Sequence, residues 1–192
     1  RFYTDGTLAP CWGYQIDETA SVIYGVYEHY KNTKELKFLQ SNMKMCENAL
    51  HFLFKYLENV FDEKEEKDLV KKEIEEQVIK EGRQKDQIYK HVSYDLWEMN
   101  EGVHLYSLSA IYAAFGAMEL IYKELQKDSK KFKLPEDFNE LAEYKELIKN
   151  YILENLCDKK QNILVRNTKD NYVDISIMGA ITPFNVFDPN DK

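Results

Sequence analysis

The sequence predicts an all-α fold of mostly antiparallel helices with one small β excursion. Apolar residues recur at three- and four-residue steps through four long stretches, the signature of helices with one buried face. There is no β-α-β alternation, no glycine-rich phosphate loop and no dinucleotide fingerprint. The chain has 192 residues, 44% hydrophobic and 14% aromatic, which suffices for one core. Successive helices of similar length joined by loops suggest a helical hairpin array or toroid.

The elements follow in order. Residues 1–14 are punctuated by Gly6, Pro10 and Gly13 and read as loop. Asp17 and Thr19 suit a helix start, with Val22, Ile23, Val26, Tyr27 and Tyr30 as the apolar face. A second helix is expected from about Lys34 to Phe61, bent near Ser41, with a broad aromatic stripe including Phe54, Leu57 and Phe61. Composition then changes: residues 62–90 are dense in charge, with a narrow apolar stripe, and read as a solvated helical insertion. Leu105 to Lys127 is a strong helix whose small residues, such as Ala110, Ala114 and Ala117, permit close approach of a neighbour. Pro135 sits where the next helix can begin, and Leu141, Tyr144, Ile148 and Ile152 carry its stripe. Ile163–Arg166 and Tyr172–Ser176 read as a short hairpin, followed by a short apolar helix over Ile175–Ile181.

Charge narrows the partners. The formal net charge is −8, with no basic patch interleaved with aromatics. Such a chain is a poor electrostatic match for phosphate backbones, so nucleic acid and anionic membrane surfaces are disfavoured. No apolar run near about 20 residues stands out as a membrane span. Cys11, Cys46 and Cys157 have no short paired spacing, which argues against a disulfide framework or a zinc site and for reduced thiols in the cytoplasm. The four histidines are dispersed, so no metal cluster is predicted. His104 lies three residues before Ser107, but without a third partner this pair reads as packing or hydrogen bonding rather than a nucleophile and its base.

The chemistry concentrates in Tyr94-Asp95-Leu96-Trp97-Glu98, in a polar break between helical segments. Trp97 offers a flat apolar face to a sugar ring and Glu98 offers a proton. Glycoside cleavage uses both a stacking surface and an acid for the departing oxygen. Followed by Gly102 and an aromatic-rich helix, this segment resembles the acid segment of the glucoamylase family, glycoside hydrolase family fifteen. Two outer segments agree with that resemblance in the family's order. They are Trp12-Gly13-Tyr14-Gln15-Ile16-Asp17, and Tyr172-Val173-Asp174-Ile175-Ser176 with Pro183-Phe184.

The resemblance implies an (α/α)6 barrel, two concentric rings of helices with the active site at one mouth, of which residues 1–192 would form a central part. It implies inverting exo-hydrolysis of α-glucosidic bonds at non-reducing ends of an α-linked glucose oligosaccharide or polysaccharide; no cofactor and no metal ligand is assigned. Glu98 would be the general acid, Trp97 a cleft wall, Asp95 the support of the acid loop, and the Leu96 carbonyl a hydroxyl acceptor. Trp12 would match the stacking tryptophan, with Gln15 and Asp17 shaping the cleft or the start of its helix. An inverting enzyme also needs a base about 6.5–9.5 Å from the acid, and its segment is not found in these residues. Met99 stands where many members carry a second acid. That departure keeps open a catalytically silent, glucoamylase-like domain with a regulatory or carbohydrate-binding role.

Overall fold

The computed structural model describes residues 4–5, 15–61, 93–129 and 132–190. The expected insertion at 62–90 and Trp12 lie outside these residues. Four α-helices are found among the described residues: α1 (Ile16–Thr33), α2 (Leu36–Phe61), α3 (Leu105–Asp128) and α4 (Glu140–Asn155). Two short antiparallel hairpins accompany them, β1 (Ser93–Tyr94) with β2 (Glu101–Gly102) and β3 (Cys157–Asp158) with β4 (Ile163–Leu164). Short 3-10 helices cover Glu136–Asn139, directly after Pro135, and Ile175–Ala180.

Helix α3 is the centre. Leu105, Leu108, Ile111, Ala114, Phe115, Met118 and Ile121 are all fully buried, and Ala110, Ala113, Ala117 and Tyr122 bury other sides. A helix apolar nearly all round belongs inside a core. Its length and composition would also let it cross a membrane, contrary to the sequence reading, but most of it is covered by the fold, as in a core helix.

Helix direction follows from the cross-contacts. The hydroxyl of Ser107 donates to Asp17 at 3.1 Å and that of Tyr30 to Glu124 at 3.1 Å, so α1 and α3 run parallel. Helix α2 reverses after α1, where Lys34 takes a left-handed conformation (φ 60°) and its N–H donates to the Tyr30 carbonyl. Phe54 stacks on Phe115 at 4.8 Å and on Tyr144 at 4.9 Å, edge-on to the latter. Helix α4 returns antiparallel to α3, with Phe138 beside Tyr122 and a Lys145–Glu119 ion pair of 3.1 Å.

Two local expectations change. Helix α1 begins at Ile16, with Gln15 at the cap position and no side-chain cap, so Asp17 does not cap it. Asp17 instead is only 3% exposed and is turned into the α1–α3 contact. Helix α2 is continuous through Ser41, as the single second helix was expected to be. The Ile163–Leu164 strand pairs with Cys157–Asp158, not with Tyr172–Ser176. The reason is local. The Asp158 carboxylate accepts from the amides of Lys160 and Gln161, and Asn162 supplies the left-handed corner (φ 54°), which closes a tight turn. The predicted second strand makes one backbone bond to the first, from the Arg166 N–H to the Tyr172 carbonyl at 3.0 Å, but no ladder, and the amides of Tyr172 and Ser176 go instead to the side chains of Asp170 and Asp174.

The Ile175–Ala180 turn packs on α3, where Gly179 meets the Tyr106 ring. A Cβ on Gly179 would sit 2.7 Å from Tyr106 Cδ2 and 3.4 Å from Phe184 Cδ2, and Phe184 packs edge-on to the Tyr106 ring at 5.3 Å. Gly179→Ala is therefore expected to destabilise the fold by about 1–3 kcal/mol through overpacking. A denaturant midpoint equal to wild type would contradict this.

Burial pushes the Asp17 carboxyl above its usual range, against the smaller downward pull of its own backbone amide and the Ser107 hydroxyl. A raised native value means that stability from this group is full below the unfolded value of about 3.9 and is lost as pH rises through the native value. Asp17→Asn keeps an acceptor for Ser107 and removes the ionisation. Its melting temperature relative to wild type should therefore rise between about pH 3 and pH 7. A difference that does not change across that range would contradict the assignment.

Candidate active site

The Tyr94–Glu98 segment folds as a hairpin rather than an open loop. Strands β1 and β2 pair Ser93 with Gly102 and Tyr94 with Glu101, and the turn spans Asp95 to Asn100. The Asp95 N–H donates to the Asn100 carbonyl at 2.9 Å, and the Glu98 N–H to the Asp95 carbonyl at 2.9 Å. The side chain of Asp95 then closes the turn. Its Oδ1 accepts from the amides of Met99 (2.8 Å) and Asn100 (3.2 Å), and its Oδ2 from Asn100 Nδ2 (2.8 Å). Burial acts on this carboxyl upward, but the Asn100 side chain, the two amides and nearby His104 outweigh it and hold it below the usual carboxylate range. Asp95 is thus a fixed acceptor, 6% exposed, and not a proton donor.

The same turn holds Glu98 at φ 58°. The other described non-glycine residues with positive φ are Lys34, at a helix C-terminus, and Asn162 and Asn185. Asparagine and helix ends are the usual occupants of that region; glutamate is not. Backbone held in a sparsely populated region persists where neighbours over-determine it, and here the Asp95 side chain does so. Leu96, Trp97, Glu98 and Met99 are all exposed at the tip, Trp97 to 47% and Met99 to 77%. Trp97 is therefore not a core residue.

Buried contacts fix the base of the hairpin. His104 is 2% exposed, and its Nε2 lies 3.0 Å from the Ser93 carbonyl. A carbonyl can only accept, so Nε2 carries the proton. Burial holds the imidazole below its ordinary pKa, more than the Ser93 and Asn100 backbone hydrogen bonds and the Asp95 charge raise it. Ser107 bonds Asp17, not His104, so these residues form no nucleophile–base pair.

A strap that sequence reasoning did not single out lies alongside. The Leu105 N–H donates to the Arg166 carbonyl, and the Thr168 N–H to the Val103 carbonyl. The Arg166 guanidinium forks onto Asp170, with Nη2 at 2.8 Å from Oδ2, lies 3.7 Å from Asp174, and covers the Tyr172 ring at 5.3 Å. Its charge is felt at Asp95 and His104. Asp174 caps the Ile175–Ala180 turn through Ser176. The four-residue spacing of Arg166 and Asp170 was the available signal.

The predicted site residues thus divide. Asp95, Leu96, Trp97 and Glu98 share one hairpin turn. Asp17 and Gln15 stand at the start of α1, and the charge of Asp95 reaches Asp17. Asp17 faces the helix packing, whereas Trp12 lies outside the described residues. Among the described residues no group of three or more His, Cys, Asp or Glu is placed to hold a metal ion. An apolar cleft lined by Gln40, Met43, Leu125 and Phe132 lies far from the hairpin. Leu125 is twenty residues along α3 from Leu105, about 30 Å at the helical rise.

No known family profile matches the chain, and no solved structure matches it. Over 180 residues, 93% of the chain, it is 24% identical to the uncharacterized glycosyl hydrolase MJ1610 of Methanocaldococcus jannaschii. The chain spans 23% of the length of that curated relative. Distant similarity therefore relates this mainly helical chain to a glycosyl hydrolase.

Proposed function

We propose that this chain carries the general-acid half of a glucoamylase-like active site, with Glu98 as the acid, in an inverting exo-hydrolase of α-glucosidic bonds. One observation carries the reading. A glutamate occupies left-handed backbone at an exposed hairpin tip, next to an exposed tryptophan, while the other carboxylate of the turn is bound inward as a structural acceptor. Glycine would suit that backbone better, so a glutamate there points to a use for its carboxyl. The distant similarity to a glycosyl hydrolase supports the reaction class.

Helix directions support the architecture. Parallel α1 and α3, with α2 and α4 antiparallel to α3, supply the unit that a double ring of helices repeats. Both α1 and α3 begin at the end that bears the acid hairpin. In this proposal Trp97 and Trp12 stack the substrate, the Leu96 carbonyl accepts a sugar hydroxyl, and Asp17 and Gln15 shape the start of α1. A sugar ring against Trp97 displaces water from Glu98, and loss of solvent favours the protonated acid that leaving-group departure needs. The opposing base, and the sugar-gripping residues, belong to parts of the enzyme outside this chain. The substrate is an α-linked glucose oligosaccharide or polysaccharide.

Glu98→Gln in the full-length protein is expected to lower kcat on maltose-type substrates by about 100–10,000-fold. Glu98→Gly should lose as much activity while melting no lower than wild type, since glycine relieves the backbone. Near-wild-type turnover by either variant would refute the acid assignment. Asp95→Asn turns a donor toward Asn100 Nδ2 and loosens the turn. It is expected to reduce kcat by about 10–100-fold with KM little changed, the scale of a misplaced catalytic group. Unchanged kcat would show that the Asp95 clamp does not position the acid.

A further inference from the structure

His104 stands just before α3, 2% exposed, and joins three stretches of chain. Through its backbone it bridges to Asn167 of the strap, with the Leu105 N–H donating to the Arg166 carbonyl at 3.0 Å and the Thr168 N–H to the Val103 carbonyl at 3.1 Å. Through its side chain it reaches the far strand of the hairpin, where Nε2–H donates to the Ser93 carbonyl at 3.0 Å. The near strand packs against both partners: a Cβ on Gly102 would stand 3.4 Å from His104 Cε1 and 3.5 Å from Asn167 Cβ. Asn167 is itself fixed. It is 1% exposed, its Oδ1 accepts from the amides of Lys169 (2.8 Å) and Asp170 (3.0 Å), and its Nδ2 donates to Asp170 Oδ2 (3.3 Å). The hydrogen bonds of the Asp95 side chain lie within the turn at the tip, so they shape the turn without setting the angle at which the hairpin leaves the helices.

We propose that His104 is a positioning residue for the acid: its bond across the hairpin base sets the direction in which Glu98 is presented, and Asn167 anchors it to the strap. The inference rests on the reading of Glu98 as the general acid. Leverage gives the magnitude. Glu98 is four residues from Gly102, about 10–13 Å out at the rise of a strand. A tilt of about 5° at the base then moves the carboxyl by about 1 Å, and a misplacement of that size can cost about 100-fold in rate. The imidazole holds the base where such a tilt would begin, between the first paired residues of the two strands.

The test is steady-state kinetics of the full-length protein on maltose-type substrates, with melting temperatures, for His104→Gln, His104→Asn and His104→Phe, each also combined with Glu98→Gln. The glutamine amide is long enough to reach the Ser93 carbonyl, the asparagine amide is too short, and phenylalanine has no donor. The Asn and Phe variants are expected to lose about 10–100-fold in kcat with KM within about twofold of wild type, and His104→Gln to recover most of that loss. Combined with Glu98→Gln, none should lose more than Glu98→Gln alone, because a group that acts through the acid then has nothing left to position. Equal turnover by the Gln and Asn variants, a change confined to KM, or losses that multiply with that of Glu98→Gln would each overturn the proposal. The comparison of the two amides decides the matter even where His104→Phe does not fold. Wild-type turnover by Glu98→Gln itself would overturn the acid reading together with this one, whereas a full loss there with none at His104 sinks the positioning role alone.

Discussion

The Asp95 carboxylate is the contact on which the candidate site depends. It binds two backbone amides and one side-chain amide of its own turn. That closure fixes the path of four exposed residues and holds Glu98 in a conformation its side chain disfavours. A free turn of this length would sample many geometries, at a cost of about 1–2 kcal/mol for each residue ordered. The clamp is local, charged and largely shielded from water, so its hydrogen bonds are of the stronger kind. Its low pKa follows from the same bonds, which make this carboxyl a constant acceptor inside the turn while Glu98 stands on the exposed tip.

Beneath the turn, rigidity comes from α3. The hairpin leads into it through Val103 and His104, both buried, and its first residue is tied by a backbone bond to Arg166. Arg166 in turn holds Asp170 and approaches Asp174, which organises the downstream 3-10 turn. Three distant stretches of sequence therefore meet at one end of α3: the start of α1, the acid hairpin, and the segment from Arg166 to Ala180. These are the stretches in which the family resemblance was found, and, among the described residues, a single antiparallel bridge, His104 to Asn167, ties the run after the hairpin to the last of them.

The helices were legible because burial imposes a 3.6-residue period, and α3 was read to within one residue at its end. Turn chemistry was less legible. Tyr172–Ser176 has the branched and aromatic residues of a strand, but flanking aspartates capture its amides, and only coordinates reveal which side chain takes which N–H. Asp17 looked like a cap because aspartate at a helix start usually is one; its partner, Ser107, is 90 residues away and invisible to local pattern. The acid segment read as a polar break, and its closure into a hairpin rests on Asp95 and Asn100 acting together. The exposure of Trp97 agrees with its reading as a residue outside the core, whereas the Arg166 strap was not anticipated.

The most direct test of the account is a structure of the full-length protein bound to a non-hydrolysable, sulfur-linked maltoside. The account predicts a glucose ring stacked on Trp97, with the Glu98 carboxyl about 2.6–3.2 Å from the linking atom, or somewhat longer given the larger sulfur. A sugar bound elsewhere, or seated at the hairpin with Glu98 directed away from the linkage, would contradict it.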